Sequence, residues 1–202
     1  MPTPALQSST SPFRGESAAS EGHAASADRV LLQRLATSEL DALDLVLAKF
    51  WSPLVRYLMS MLASREAAED AAQEAFYRLW QHRRELDVEG SLRGFLYQVA
   101  RNLAISERRR HLAFERAAAT MHVEQDVAVS IEMKDDDLDA TLRRALRTLS
   151  KRRREILLLH AVHDLSYKEI AAMLDIAPQT VANQFSAAIA SLRRLLSPSS
   201  MV

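Results

Sequence analysis

A chain of 202 residues with 48% hydrophobic side chains is long enough for one sizeable core or two small ones, and its formal net charge of zero argues at first sight against nucleic acid. Four glycines and few β-branched runs against abundant Ala, Leu and Arg favour an all-helical chain, and the absence of cysteine excludes disulfides and thiolate metal sites. No apolar run approaches the roughly 18 residues of a membrane span, and the N-terminus lacks the basic-then-apolar order of a signal peptide, so a soluble, cytoplasmic chain without membrane insertion is expected.

Residues 1–27 are mostly Ser, Ala, Pro and Thr with almost no large apolar side chain, and read as a tail outside the fold, as does the short stretch 198–202. From Asp28 the apolar spacing becomes helical through Val30, Leu31 and Leu35, then, after a cap at Ser38, through Leu40, Leu43, Val46, Leu47 and Phe50. Ser52 followed by Pro53 reads as the start of a further helix carrying Leu54, Leu58 and Leu62. Ser64 caps a helix from Glu66 to Trp80 whose first turn is acidic. At 100° per residue, Ala68, Ala72, Ala75, Phe76 and Leu79 form its apolar stripe, while Glu66, Asp70, Gln73, Tyr77 and Trp80 lie opposite or beside it. Large aromatics among carboxylates suit a basic, partly apolar partner better than a solvated face.

A loop around Asp87–Gly90 leads to a helix from about Ser91 to His111, closing a first domain of residues 28–114. Residues 115–136 lose the periodicity and gather acids, as a flexible linker does. A second domain, residues 137–197, opens with the stripe Leu138, Leu142, Ala145, Leu146 and Leu149, followed by a helix capped by Ser150 and carrying Ile156, Leu157 and Leu159. Ser166 and Glu169 form a capping box that starts a short helix; three residues, Asp175 to Ala177, then lead to another starting at Pro178, which is the length pattern of a helix-turn-helix.

Charge resolved along the chain removes the objection to nucleic acid. Residues 101–116 carry five Arg against two Glu, residues 117–141 seven acids against one Lys, and residues 143–154 seven basic residues and no acid. In the last helix Val181, Phe185, Ala188 and Leu192 should face inward, leaving Gln179, Asn183, Ala187 and Arg194 outward, where amides suit adenine and Arg suits guanine or phosphate. An ordinary helical hairpin is the bland alternative, and no basic residue lies between Pro178 and Ala190. The helix 91–111 interleaves Phe95, Leu96, Tyr97, Val99 and Leu103 with Arg93, Arg101, Arg108, Arg109 and Arg110, which suits stacking on unpaired bases; the bland reading is that most of the apolar residues are core. His160 and His163 lie one turn apart with Asp164 beside them, but no third ligand is evident, and neither a metal nor another cofactor is expected. No nucleophile–base order or phosphate loop appears, so no enzyme is expected.

The run from Arg65 to Trp80 (REAAEDAAQEAFYRLW), the run from Ser91 to Leu103 (SLRGFLYQVARNL) and the C-terminal helix-turn-helix together resemble the extracytoplasmic-function sigma factors of bacterial RNA polymerase, over about residues 28–197. The resemblance implies an all-α protein of two small domains, like sigma regions 2 and 4, joined by the acidic linker. It implies docking of Asp70, Gln73, Glu74, Phe76 and Trp80 on the β′ clamp helices. It implies minus-ten recognition and melting by Ser91, Arg93, Phe95, Tyr97, Arg101, Asn102, Arg108, Arg109 and Arg110. Minus-thirty-five recognition would fall to Gln179, Thr180, Asn183, Gln184, Ala187 and Arg194, with the second domain resting on the β flap and the linker following the RNA exit path. An anti-sigma factor is a further implied partner. The chain departs from the family's pattern at Asp164 and Asp175, where Gly is usual, at Ala177, where a Ser or Thr caps, and at Phe95, where Trp is usual. These departures bear on minus-thirty-five binding and leave the acidic helix untouched. A free-standing helix-turn-helix regulator and a sigma-like scaffold that sequesters partners are the alternatives.

Overall fold

A computed structural model of the chain describes residues 28–37, 39–86, 91–118 and 140–196, and every regular element among them is an α-helix. The helices are α1 (residues 28–36), α2 (Leu40–Met59), α3 (Arg65–His82), α4 (Leu92–Ala118), α5 (Ala140–Thr148), α6 (Lys151–Ala161), α7 (Tyr167–Leu174) and α8 (Pro178–Leu196). Both expected tails, the Ser38 cap, the Asp87–Gly90 loop, Leu138 and most of the acidic linker lie outside the described residues.

In the first bundle α3 packs against both α2 and α4, and α2 against α4. The expected stripe of α3 is the buried one: Ala68, Ala72, Ala75, Phe76 and Leu79 face the core, and the Ser64 hydroxyl accepts the Ala67 N–H at 3.1 Å. Asp28, buried at the start of α1, takes the Lys49 ammonium of α2 at 2.5 Å.

Two expectations fail locally. Ser52-Pro53 starts no helix, because Pro53 lies inside α2, which runs unbroken to Met59. An interior proline forfeits a backbone bond and costs about 3 kcal/mol. Phe50, Leu54, Val55, Tyr57 and Leu58 are all buried on either side of it, and burial stabilises by about 1.5–3 kcal/mol per large side chain. Met61 and Leu62, expected to extend the helix, are buried in the turn after it, their N–H groups both on the Leu58 carbonyl at 2.9 Å. At its far end α4 reaches Ala118, so the first residues assigned to the linker are helical.

The second bundle matches the expected layout. Ser150 caps α6 by accepting the Arg153 N–H, and both halves of the Ser166–Glu169 capping box are made at the start of α7. Leu146, Leu149, Leu157, Ala188 and Leu192 form a small core between α5, α6 and α8. The basic run before it serves the fold: Arg154 donates to the carbonyls of Leu146, Arg147 and Leu149 at the end of α5, and Arg152 to that of Leu174 at the end of α7. Guanidiniums at helix C-termini satisfy carbonyls that have no partner within the helix.

The bundles are not separate bodies on a tether. Ile156, Leu158, Leu159, Leu165 and Ile170 belong to the same buried cluster as Leu54, Leu58, Leu92 and Leu96, and α4 lies against α7. Helix α6 is consequently buried on every side from Glu155 to Leu159.

Asp164 and Asp175 have φ of 51° and 53°, the left-handed region, which explains why glycine suits both positions. An L-residue there costs roughly 1–2 kcal/mol, less for Asp than for most. Asp175 is exposed and ends α7, so Asp175→Gly should raise the unfolding free energy by up to about 1 kcal/mol; a lower melting temperature would show instead that its carboxylate stabilises the turn.

Candidate functional site

The outer face of α3 carries the most distinctive chemistry. Asp70, Gln73, Glu74 and Tyr77 line a shallow groove, and Tyr77 is 53% exposed. Glu74 pairs with Arg78 at 2.7 Å, and Arg65 with Glu69 at the same distance, each one turn apart. Trp80 lies half-buried beneath the Arg83 guanidinium, 4.0 Å from the ring centroid, and Arg83 also donates to the Trp80 carbonyl. Phe76 is not part of this face. It is 5% exposed and stacks on Trp51 with centroids 5.9 Å apart, because it lies four residues after Ala72 on the buried stripe. Tyr77, one residue further round, is the exposed aromatic. The alternation of Phe76 and Tyr77 is visible in the helical periodicity alone.

The residues expected on α4 divide between two sides. Asn102, Arg109 and Arg110 are exposed, Arg108 is half-buried, and Arg110 pairs with Glu107. Phe95 packs partly into the first bundle's core. Ser91, Arg93, Tyr97 and Arg101 all face the second bundle. The Ser91 hydroxyl donates to the Glu169 carboxylate while accepting the Gly94 N–H at 3.0 Å, and so caps α4. Arg93 donates to the carbonyls of His163 (3.1 Å) and Asp164 (2.9 Å) and lies 3.4 Å from the Asp164 carboxylate. The Tyr97 hydroxyl is 3.0 Å from His163 Nδ1, and Arg101 meets Glu155 at 3.1 Å, with side chains 14% and 4% exposed. Glu155 is also 3.4 Å from Arg152. Sequence reading missed Glu155, Asp164, His163 and Glu169 as partners of α4, since they come 54–78 residues later.

Tyr57, Tyr97 and His163 form a ring cluster at this junction, with centroids 5.2–5.5 Å apart. Burial pushes both tyrosine hydroxyls well above their ordinary range. Burial also pushes His163 down to about 4, with Arg56 and Arg93 adding to the effect and Asp164 opposing it. His160, the other half of the suggested metal pair, points elsewhere: it packs against Tyr167 and Phe185 and places Nδ1 2.7 Å from the Leu165 carbonyl.

On α8, Val181, Ala188 and Leu192 are buried and Phe185 is half-buried, as the periodicity requires. Gln179, Thr180, Asn183 and Arg194 are exposed, and Ala187 is half-buried. Gln179 donates to Asn183 at 3.0 Å, so the two amides form one pair along the exposed face. Gln184 turns toward α6, where its amide oxygen accepts Arg153 Nε at 3.1 Å.

Family models identify both bundles: Sigma-70 region 2 matches residues 47–113 and Sigma-70 region 4 matches residues 139–192. This pairing defines a promoter-directing subunit of bacterial RNA polymerase. The chain is 30% identical over 149 residues to the ECF RNA polymerase sigma factor SigL of Mycobacterium tuberculosis, covering 71% of this chain and 82% of SigL. The fold is similar to that of CnrH in its complex with the cytosolic domain of CnrY (TM-score 0.57, 23% identity, 84% of this chain and 97% of that one). It is also similar to sigma factor RpoE from Bartonella quintana in complex with the anti-sigma factor NepR (TM-score 0.56, 24% identity, 77% and 96%). The chain belongs to the extracytoplasmic-function (ECF) sigma factors: it binds core RNA polymerase and promoter DNA and directs promoter-specific initiation of transcription.

The neighbouring aromatics give a direct contrast. Phe76→Ala should lower the unfolding free energy by about 3–5 kcal/mol, and Tyr77→Ala by less than about 1, in denaturant titrations. His163 gives a second test. Undocked, it titrates near 6.5; docked, it stays neutral down to about 4, so the docked form binds fewer protons between these values. The contribution of His163 to docking is therefore fully present above about pH 6.5 and is lost as pH falls toward 4, by at most about 1.4 kcal/mol per unit. Melts from about pH 7 to 4.5 should fall more steeply for the native chain than for His163→Phe.

Proposed function

We propose that the outer face of α3 is the contact for the β′ clamp helices of core polymerase, through Asp70, Gln73, Glu74, Tyr77 and Trp80. The carrying observation is the groove on α3, where an exposed tyrosine stands among the carboxylates of Asp70 and Glu74 and the Gln73 amide, open to solvent among the described residues. Aromatics in such a setting supply buried area at the centre of an interface, and surrounding acids pair with basic residues and set orientation. Phe76 contributes from beneath, by holding the helix against Trp51.

In this reading residues 28–114 bind core and open the minus-ten element, while residues 137–197 read the minus-thirty-five element and rest on the β flap. Arg108, Arg109 and Arg110 neutralise the backbone of the displaced strand and Phe95 offers aromatic surface, whereas Arg93, Tyr97 and Arg101 are engaged by the second bundle. Ser91 and Asn102 supply hydrogen bonds near the melted bases. Capture of a flipped base offsets unstacking, which costs only a few kcal/mol. On α8 the Gln179–Asn183 pair leaves one donor and one acceptor outward whichever amide donates, and this matches the major-groove edge of adenine. Thr180 and Arg194 flank it, and Gln184 and Ala187 shape the helix beside it. With no Lys or Arg between Pro178 and Ala190, the phosphate contribution is small and minus-thirty-five binding is weak.

The subunit carries no chemistry of its own and works in the cytoplasm beside the polymerase. An anti-sigma factor is its natural regulator; the similar fold of the Bartonella RpoE was seen with the anti-sigma factor NepR, and that of CnrH with the cytosolic domain of CnrY. Run-off transcription with core enzyme across genomic templates tests the function and yields the promoter together. Tyr77→Ala, Trp80→Ala and Asp70→Arg should each weaken core binding about tenfold or more, roughly 1.4 kcal/mol, in a fluorescence titration. Unchanged core affinity in folded variants would remove α3 as the docking face.

A further inference from the structure

Three consecutive arginines lie in the first turn of α6, and two of them are spent on the fold: Arg152 closes the end of α7 and Arg154 that of α5. Arg153 turns to α8 instead. Its Nε donates to the Gln184 amide oxygen at 3.1 Å, and its terminal nitrogens meet no other group among the described residues. A guanidinium holds donors only, so the atom facing it must be the amide oxygen, and the Gln184 amide has a single allowed orientation. Its nitrogen then points the other way and takes no partner among the described residues. That nitrogen is open to solvent, because the buried side-chain polar atom left unpaired among those residues is the Tyr57 hydroxyl. The neighbouring amides are different. Gln179 and Asn183 bond to each other, and that pair can turn over as a unit without losing its bond. Gln184 follows Asn183 by one residue, about 1.5 Å along the axis and so within a base step of roughly 3.4 Å. It stands half-buried on the flank of α8, one turn after the exposed Thr180.

We propose that Arg153 is a positioning residue for promoter reading: by holding the Gln184 oxygen it makes Gln184 a fixed donor that selects a keto base, guanine or thymine, beside the adenine read by Gln179 and Asn183. This rests on α8 being the helix that reads the minus-thirty-five element. In the major groove guanine and thymine present a keto oxygen where adenine and cytosine present an amino group. A fixed amide nitrogen bonds to the first two and meets a donor on the others. Without Arg153 the amide turns over freely and offers its oxygen to an amino group as readily as its nitrogen to a keto oxygen. The arginine that α8 lacks at its centre thus acts from the neighbouring helix, through orientation and not through charge.

The test uses the full-length protein with core polymerase on the promoter found by run-off transcription, its minus-thirty-five element randomised and each template barcoded in the transcribed region. Barcode counts in the transcripts give the base preference at every position. The native chain should favour guanine or thymine over cytosine about tenfold at one position next to a preferred adenine. Arg153→Met keeps the stem and removes the donors; it should flatten that preference to within about twofold and leave the adenine preference unchanged. Arg153→Lys, again a donor only, should restore it. Gln184→Glu pairs one carboxylate oxygen with Arg153 and turns an acceptor outward, which should reverse the preference toward cytosine. Both side chains are half-buried and outside the small core of the second bundle, so the variants should fold. If Arg153→Met instead weakens every template alike and lowers the salt dependence by about one phosphate, with base preference intact, Arg153 is a phosphate contact and the proposal is overturned. A Gln184→Glu profile identical to the native one overturns it too, because Gln184 then reaches no base. If scrambling the whole element leaves transcription unchanged both in the native chain and in Asn183→Ala, α8 reads nothing, and the assignment of the element falls together with the proposal.

Discussion

Glu155 is the charge around which the two bundles are arranged. Its side chain is 4% exposed, and a carboxylate taken that far out of water is tolerable only with cations beside it. One cation, Arg152, comes from its own helix, and the other, Arg101, comes from the first bundle. Separating the bundles takes away one partner while hydrating the rest, so the pair makes docking specific in position without making it irreversible. Beside the apolar cluster that joins the bundles, the other polar contacts share this character. Arg93 on two carbonyls, Ser91 on Glu169 and Tyr97 on His163 are polar contacts that water or another polymer can replace.

Helix α6 shows the consequence for packing. One side meets α5 and α8 through Leu157, while Ile156, Leu158 and Leu159 join the larger cluster that runs into the first bundle. A helix buried all round loses the amphipathic signature by which a surface helix is recognised. The cations before it are drawn into the same task, with Arg152 and Arg154 closing the C-terminal ends of α7 and α5. A stretch that looks in sequence like a nucleic-acid patch is in good part the mortar of the second domain.

Local signals were legible wherever one residue's neighbours along the chain settled its environment. The Ser64 cap, the Ser166–Glu169 box, the stripe of α3 and the turn from Asp175 to Ala177 all involve residues within a few positions of one another. Ser52-Pro53 misled because a proline's local preference was set against five large side chains buried in a helix that packs on α3 and α4. Phe76 shows a different failure. Family likeness placed it among the contact residues, whereas its own helical phase puts it in the core and turns Tyr77 outward.

By itself, then, the sequence determined the helices, their caps, the division into two bundles and the acidic aromatic face of α3, because each follows from spacing and short-range hydrogen bonding. Tertiary structure alone decided that the bundles dock, which side of α4 is covered and where the buried charges find partners. Those outcomes depend on pairs such as Ser91 with Glu169 and Arg101 with Glu155, 78 and 54 residues apart. No periodicity along the chain encodes such a separation, and the close approach at Gly94, where an added Cβ would lie 2.9 Å from Glu169 Cγ, exists only once both surfaces are in place.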